Sequence, residues 1–158
     1  MPELVIDLAD LADPRVLRLL EDHLADMHAT SPAESVHALD VGGLADPTVT
    51  FWAVSDGEGA GAAVLGCVAL KELSPVHGEL KSMRADAAAR GRGLGRRLLE
   101  HVLDEARARG YARVSLETGT EPFFAPARSL YEKAGFSVCP PFGSYVLDPN
   151  SVFYTLEL

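Results

Sequence analysis

Apolar residues follow two spacings along the chain, and these spacings predict the order of its helices and strands. From Gly93 to Gly110, apolar side chains recur every three or four residues, which is typical of a helix with one buried face. Elsewhere apolar residues alternate with polar ones or form short continuous runs, as they do in strands. The predicted strands cover residues 4–8, 49–54, 64–73, 78–84, 112–117 and 151–158.

Further helices are predicted from their end signals, over residues 13–28, 31–39 and 126–134. Asp13-Pro14 is an N-cap followed by proline at the first helical position. Ser31 and Glu34 form a capping box, in which each side chain satisfies the backbone amide of the other. Together the elements predict an α/β or α+β fold with a mixed β-sheet. The chain length suits one hydrophobic core, so we expect one domain over residues 1–158.

Composition narrows the class of function. The formal net charge of -9 argues against general nucleic-acid binding, which needs a broad basic surface. No apolar run is long enough for a membrane span and no signal peptide is recognisable, so we expect a cytoplasmic protein without a membrane partner. Cys67 and Cys139 stand apart, and the spacing of His28, His37 and His77 fits no common metal site. We therefore expect neither a disulfide framework nor a bound metal.

Basic residues are concentrated around one glycine-rich loop. Nine of the 14 Lys and Arg residues fall between Lys81 and Arg113, which suits a compact polyanion as partner. The loop Arg90-Gly91-Arg92-Gly93-Leu94-Gly95 follows a predicted strand and opens a predicted helix. Glycines allow close backbone approach, and the N–H groups at a helix N-terminus favour a phosphate. Leu98 replaces the third glycine of a dinucleotide-binding fingerprint, and the Gly-Lys-Ser/Thr ending of Walker A is absent.

Two motifs about 40 residues apart give the chain a family resemblance. Arg90-x-x-Gly93-x-Gly95 matches the (Gln/Arg)-x-x-Gly-x-(Gly/Ala) signature of the GNAT acetyltransferase superfamily, and Leu130-Tyr131-x-x-x-Gly135-Phe136 resembles its second landmark. The likeness covers nearly all of the chain and points to the small stand-alone bacterial members. It implies a mixed sheet splayed at its centre, between the strands at 79–84 and 114–117, with helices on both faces and acetyl-CoA in the cleft.

The resemblance also assigns the residues that hold the coenzyme. Backbone amides of the loop up to Arg96 would bind the pyrophosphate, and backbone atoms of Met83 and Ala85 would pair with the pantetheine arm. The full set is Met83, Arg84, Ala85, Arg90, Gly91, Arg92, Gly93, Leu94, Gly95 and Arg96. Many members carry Asn seven residues before the tyrosine of the second motif, where this chain has Phe124.

Catalytic roles follow from the resemblance and from the chemistry of acyl transfer. An amine that attacks a thioester needs a base, for which Glu79 is the first candidate and Glu117 its rival. Tyr131 can protonate the leaving thiolate, and the amide of Met83 can stabilise the negative charge that develops on the carbonyl oxygen. Cys67, in the middle of a strand, is a poor nucleophile, so the prediction is direct transfer.

Acceptor residues are harder to predict. Strand alternation puts Glu79, Lys81 and Met83 on one face, with Glu117 across the splay, and Phe142 and Tyr145 are further candidates to line an acceptor pocket. This gathering of carboxylates favours a small-molecule amine. The prediction is an acetyl-CoA-dependent N-acetyltransferase. A peptide N-acetyltransferase, a non-catalytic acyl-CoA sensor, transfer to oxygen and a homodimer are left open.

Overall fold

Seven strands form one mixed sheet in the computed structural model, which describes residues 4–32, 41–59, 61–86, 89 and 92–158. The order across this described sheet is β1-β2-β3-β4-β5-β7-β6. Its strands are β1 Val5–Leu8, β2 Val49–Ser55, β3 Val64–Ser74, β4 His77–Ala85, β5 Arg113–Gly119, β6 Ser137–Cys139 and β7 Ser151–Glu157. The helices are α1 Pro14–Thr30, α2 Val41–Leu44, α3 Leu94–Ala108 and α4 Ala125–Lys133, and a 3₁₀ turn covers Pro122–Phe124.

Most of these elements agree with the sequence-based prediction to within a few residues. α2, β6 and the 3₁₀ turn were not predicted, because elements of three or four residues are too short to show a period. The helix predicted over 31–39 lies mostly outside the described residues. Ser31 itself caps the C-terminal end of α1, and its hydroxyl donates to Glu121 at 3.1 Å. Among the described helices, none has the length and apolar character needed to cross a membrane.

Helices pack on both faces of the sheet, as the resemblance implied. α1 and α2 cover one face through a core cluster that includes Leu20 and Leu44. α3 and α4 cover the other face through a larger cluster that includes Leu98 and Tyr131. β3 contributes to both clusters, with Cys67 and Ala69 on the α1 side and Val68 and Leu70 on the α3 side. This double burial explains why β3 is continuously apolar in sequence.

The sheet splays between its parallel central strands. β4 pairs with β5 only over His77–Glu79 and Arg113–Ser115, and the strands then separate. At the closed end, His77 Nε2 and Ser115 Oγ lie 2.7 Å apart, and Ser115 Oγ lies 2.9 Å from Thr155 Oγ1 on β7. These hydrogen bonds hold one end of the cleft shut, so the opening lies toward the C-terminal ends of β4 and β5.

A β-bulge in β4 makes the arrangement of its side chains differ from the predicted one. The pairing between β3 and β4 shifts at this point. Lys81 lies opposite Ala69, but Arg84 lies opposite Cys67, so β4 contains one extra residue between these two pairs. Ser82 takes the left-handed conformation there, with φ 54°. The alternation therefore reverses after Lys81, and the prediction that Met83 shares a face with Glu79 and Lys81 is wrong. Met83 packs on the α3 side of the sheet.

Candidate active site

The splay opens into two connected cavities that together run through the sheet. An inner cavity of about 100 Å³ lies between the separated strands, and an outer one of about 330 Å³ extends toward the start of α3. Both are bordered by His23, Met27, Met83, Phe124 and Ala127, so they form one continuous cleft. Titratable side chains at the inner cavity are His23, Glu79, Lys81, Glu117, Tyr131 and Tyr145.

The N-terminus of α3 meets the outer cavity. Gly93 is the N-cap, with φ 74°, and its carbonyl accepts the first helical hydrogen bond from the amide of Arg97 at 3.1 Å. The amides of Leu94, Gly95 and Arg96 therefore precede the first intrahelical donor. Apart from its chain neighbours, no described residue lies within 4 Å of where a Cβ on Gly93 would stand, so the approach is open on the described side. This geometry suits a pyrophosphate.

The other residues of the predicted coenzyme loop differ in how their side chains are placed. Arg90 and Gly91 lie outside the described residues. Arg92 is exposed, and the guanidinium of Arg96 pairs with Glu100 on the next turn of α3 at 2.9 Å. Leu94 is buried in the core and offers its backbone.

Glu79 is locked into a hydrogen-bonded group on the α1 side of β4. Its side chain is 4% exposed, and its Oε2 accepts from the Tyr145 hydroxyl at 2.6 Å and from Lys81 Nζ at 3.2 Å. Lys81 Nζ also donates to the Tyr145 oxygen at 2.7 Å. Both contacts are charge-assisted and hold the Glu79 side chain in place. Glu79 thus lies in the predicted site, with its carboxyl group engaged by two donors.

Glu117 lies across the cleft, on β5 beyond the last residue that pairs with β4. Burial raises the pKa of its carboxyl to about 7, and the negative charges of Glu79 and Asp148 add to the rise against the opposing charge of Lys81. A carboxyl with this pKa exchanges a proton readily at neutral pH. Glu117 therefore has the acid–base property that the sequence-based prediction had assigned first to Glu79.

The raised pKa of Glu117 predicts a pH-dependent gain of stability for Glu117→Gln. Its pKa stands above the ordinary value of 4.5, so the stability it contributes at low pH is lost as pH rises through about 7. Glutamine stays neutral and avoids this loss. Between pH 4 and pH 8, the variant should gain about 3 kcal/mol of unfolding free energy relative to wild type.

Denaturant unfolding across this pH range measures the effect. Glu100→Gln, on the exposed face of α3, is the matched control. Parallel pH profiles for wild type and Glu117→Gln would contradict the burial of an ionisable Glu117.

Tyr131 reaches the same cavity from α4. It is 5% exposed, and its ring packs against Phe136 and Tyr154 at centroid distances of 5.8 and 6.3 Å. Burial raises the pKa of its phenol, and the nearby negative charge of Glu117 raises it further. Tyr131 therefore stays protonated and can act as a proton donor in the cleft.

Phe124 makes the neighbouring wall apolar. It lies at the end of the 3₁₀ turn, is 8% exposed and borders both cavities. Gly119 on β5 permits this position, because a Cβ there would come within 2.2 Å of the Phe124 ring. Phe124 therefore presents an aromatic surface to the cleft.

The structure brings together most of the predicted site residues. Glu79, Met83, Glu117, Tyr131 and Tyr145 border the inner cavity, and Met83, Arg84, Ala85 and Gly95 border the outer one. Phe142, which was predicted to line the acceptor pocket, is not among the described residues that border either cavity. Its ring packs behind Tyr145 at 5.1 Å, against His77 and Phe153.

His23 and Met27 are site residues that the sequence reasoning missed. Both lie on α1, four residues apart, and face the cleft. They continue the helical face that buries Val16, Leu19 and Leu20. The signal was therefore present as helical periodicity, but nothing in that pattern shows where the buried face ends at a cavity.

Sequence comparison finds relatives that match along nearly the whole chain. The uncharacterized N-acetyltransferase YsnE of Bacillus subtilis is 46% identical over 97% of this chain and 99% of its own length. The IAA acetyltransferase of Azospirillum brasilense is 38% identical and covers 97% of both chains.

Structure comparison finds the same architecture in solved proteins. A Klebsiella pneumoniae protein, described provisionally as an acyl-CoA N-acyltransferase, superposes with a TM-score of 0.80 at 26% identity, over 100% of this chain and 99% of its own. A GNAT family acetyltransferase of Elizabethkingia anophelis, solved with acetyl-CoA bound, gives 0.65 at 16% identity over 100% of both chains. Residues 16–136 match the family model described as Acetyltransferase (GNAT) family. The protein therefore belongs to the GNAT family of acetyltransferases and is an acyltransferase.

Proposed function

We propose that the protein transfers the acetyl group of acetyl-CoA to the amine of a small molecule by direct attack. The observation that carries the proposal is the continuous cleft through the sheet. It joins an anion-binding helix N-terminus to a cavity that holds an acidic pair and a buried phenol. The acetyl-CoA bound in the Elizabethkingia anophelis protein, which shares the fold, supports the choice of acyl donor.

In this proposal, the coenzyme binds from the start of α3 inward. The amides of Leu94, Gly95 and Arg96 hold the pyrophosphate, with Arg90, Gly91 and Arg92 completing the loop. The outer cavity, bordered by Met83, Ala85 and Leu130, takes the pantetheine arm. Its backbone edge at Met83 and Ala85 lies beyond the residues where β4 pairs with β5. Acetyl-CoA supplies an activated acyl group whose leaving atom is sulfur.

Glu117 is the proposed base. A general base works best when its pKa is close to the operating pH, and the pKa of Glu117 is about 7. The side chain of Glu79 is held in place by Tyr145 and Lys81, and its negative charge contributes to the raised pKa of Glu117. We therefore assign Glu79 to tuning and positioning.

The proposed step conserves protons and electrons. Glu117 accepts a proton from the acceptor's ammonium group, and the resulting amine nitrogen forms a bond to the thioester carbonyl carbon. The Met83 amide stabilises the negative charge that develops on the carbonyl oxygen. As the carbon–sulfur bond breaks, sulfur takes the proton of Tyr131, and the nitrogen's second proton returns to the Tyr131 oxygen. Glu117 then releases its proton to solvent.

Direct transfer is supported by the environment of Cys67. This thiol is fully buried on the α1 side of β3, and burial raises its pKa to about 12. Its Sγ donates to the carbonyl of Ser82 at 3.2 Å. A protonated, enclosed thiol is a poor nucleophile.

The inner cavity favours a small acceptor over a peptide. The space next to Glu117 is narrow, with a cavity volume of about 100 Å³, and Tyr145 forms one side of it. The name of the Azospirillum brasilense relative, IAA acetyltransferase, also refers to a small molecule.

Tyr131→Phe should separate binding from chemistry. We expect turnover to fall by about 100-fold, because the thiolate loses its proton donor, while acetyl-CoA affinity stays within a few-fold of wild type. Tyr154→Phe is the matched control, since that hydroxyl donates to Glu132 at 2.9 Å and Tyr154 is not among the described residues that line the cleft. If Tyr131→Phe keeps wild-type turnover, Tyr131 contributes packing and not proton donation.

An acceptor panel tests the proposed function. Amino acids, polyamines, aminoglycosides and N-terminal peptides are incubated with acetyl-CoA, and release of the coenzyme A thiol is followed. The proposal predicts thiol release that requires a small amine. Turnover confined to peptides would favour a peptide N-acetyltransferase, and acetyl-CoA binding without any turnover would favour a sensor.

A further inference from the structure

Arg84 forms the wall of the cleft where β4 meets α1. Its side chain is 9% exposed, and Nη1 donates to Asp26 Oδ2 at 2.7 Å. Its Nε is also buried, yet it has no hydrogen-bond partner within the part of the chain that the structure describes. A buried guanidinium N–H without an acceptor is destabilising. An oxygen atom of a molecule bound in the cleft would satisfy it.

Ser82 adds a second unsatisfied group on the same strand. Its Oγ is buried, borders the inner cavity and has no hydrogen-bond partner among the described residues. Its backbone holds the left-handed conformation of the bulge, with φ 54°. Strained residues of this kind, other than glycine, cluster at ligand-binding sites. Ser82 and Arg84 therefore present two donors from one irregular stretch of β4.

The guanidinium of Arg84 is the basic group of this wall. Asp26, which is 41% exposed, pairs with it through Nη1 and leaves Nε without a hydrogen-bond partner among the described residues. His23 adds no charge of its own, because burial, reinforced by the charge of Arg84, lowers its pKa to about 4 and keeps the ring neutral. Lys81, by contrast, is engaged by Glu79 and Tyr145. The cleft thus has an acidic side at Glu79 and Glu117 and a basic side at Arg84.

We propose that the acceptor is an amine that also carries a carboxylate, an amino acid or a similar compound, and that Arg84 Nε and Ser82 Oγ bind this carboxylate. The inference rests on the proposed acetyl transfer and adds the class of acceptor. The acidic side of the inner cavity receives the ammonium group. The carboxylate lies where the two cavities meet, between Ser82 of the inner cavity and Arg84 of the outer one, beside the pantetheine arm. Arg84 and Ser82 are then residues that determine specificity.

Pairs of acceptors that differ by one carboxylate test the inference. Amino acids are compared with the amines that decarboxylation gives, for example L-phenylalanine with 2-phenylethylamine and L-leucine with isoamylamine. We expect wild type to prefer the carboxylated member in kcat/KM. Arg84→Gln should lower kcat/KM for that member by about 10- to 100-fold more than for its amine partner. The change should appear mainly in KM for the acceptor.

Two further variants keep the test independent of folding. Ser82→Gly suits the left-handed backbone, so the fold is retained, and loss of the hydroxyl should reduce the carboxylate preference by about 3- to 10-fold. Asp26→Asn removes the partner of Arg84 but keeps the guanidinium, so the preference should persist or grow.

Three results would overturn the inference. They are equal losses for both members of each pair in Arg84→Gln, a weakened acetyl-CoA affinity as the main effect of that variant, or no reaction with any carboxylated amine. The second result would place Arg84 against the pantetheine arm. The proposed acetyl transfer would survive all three if simple amines react, so its failure and that of the inference are distinguishable.

Discussion

Glu117→Gln is expected to lower kcat/KM for acetyl transfer by a factor of about 10² to 10⁴, the usual loss for a general base. Wild-type activity should rise with pH through about 7, because the ionised carboxylate of Glu117 is the active form and its pKa is about 7. The variant should lack this rise and recover activity only at higher pH, where the acceptor amine loses its own proton. Initial rates between pH 5.5 and 9.5 measure both effects.

Glu79→Gln is the informative comparison for this prediction. Removing the negative charge of Glu79 lowers the pKa of Glu117, so the rise in activity should persist but move to lower pH. Acceptor affinity should also change, because Tyr145 and Lys81 lose their shared partner. The assignment of Glu117 as base would be refuted by a profile that loses its rise in Glu79→Gln and keeps it in Glu117→Gln.

Gly93→Asp is expected to weaken acetyl-CoA binding by on the order of 100-fold or more. The new carboxylate would stand at the N-terminus of α3, and two like charges a few ångströms apart repel strongly near a protein surface. Gly93→Asn is the matched control. Both side chains tolerate the left-handed conformation of Gly93 better than most others, and the structure leaves open space for a Cβ there.

Calorimetric titration with acetyl-CoA separates charge from shape in these two variants. We expect the asparagine variant to lose much less affinity than the aspartate variant, with both folded. Equal acetyl-CoA affinities in the two variants would contradict the proposal that the pyrophosphate binds at the start of α3.

The elements that could be predicted from sequence are those whose burial repeats with a clear period. α3 alternates its buried and exposed faces over four turns, and β2 and β3 are long apolar runs separated by glycines, so both signals are strong. Gly95 and Tyr131 also border the cleft, because a helix terminus and a helix face fix where such residues lie.

The bulge at Ser82 was missed because it shifts the alternation of residues 78–84 by only one position: apolar Leu80 and Met83 are three residues apart, with polar Lys81 and Ser82 between them. A second signal lay on the neighbouring strand, where Gly66 interrupts the apolar run of β3. A Cβ at Gly66 would come within 2.6 Å of the Arg84 carbonyl, so the close approach at the bulge requires glycine. A glycine within a strand often marks such a site.

The division of roles between Glu79 and Glu117 could not be predicted for a different reason. It depends on burial and on Tyr145, which lies 66 residues from Glu79 in a loop without periodic pattern. Nothing in the sequence around either residue indicates that Tyr145 and Glu79 are in contact. Two carboxylates on neighbouring strands look alike in sequence, and only their surroundings distinguish a locked anion from a proton acceptor.

The position of the coenzyme sulfur in a crystal structure of the acetyl-CoA complex tests the central claim most directly. The account predicts that the pyrophosphate lies on the amides of residues 94–96 and that the sulfur lies in the cleft between β4 and β5, within hydrogen-bonding reach of the Tyr131 hydroxyl. A sulfur ordered elsewhere, such as in the groove between α3 and α4 bordered by Leu103 and Lys133, would contradict it.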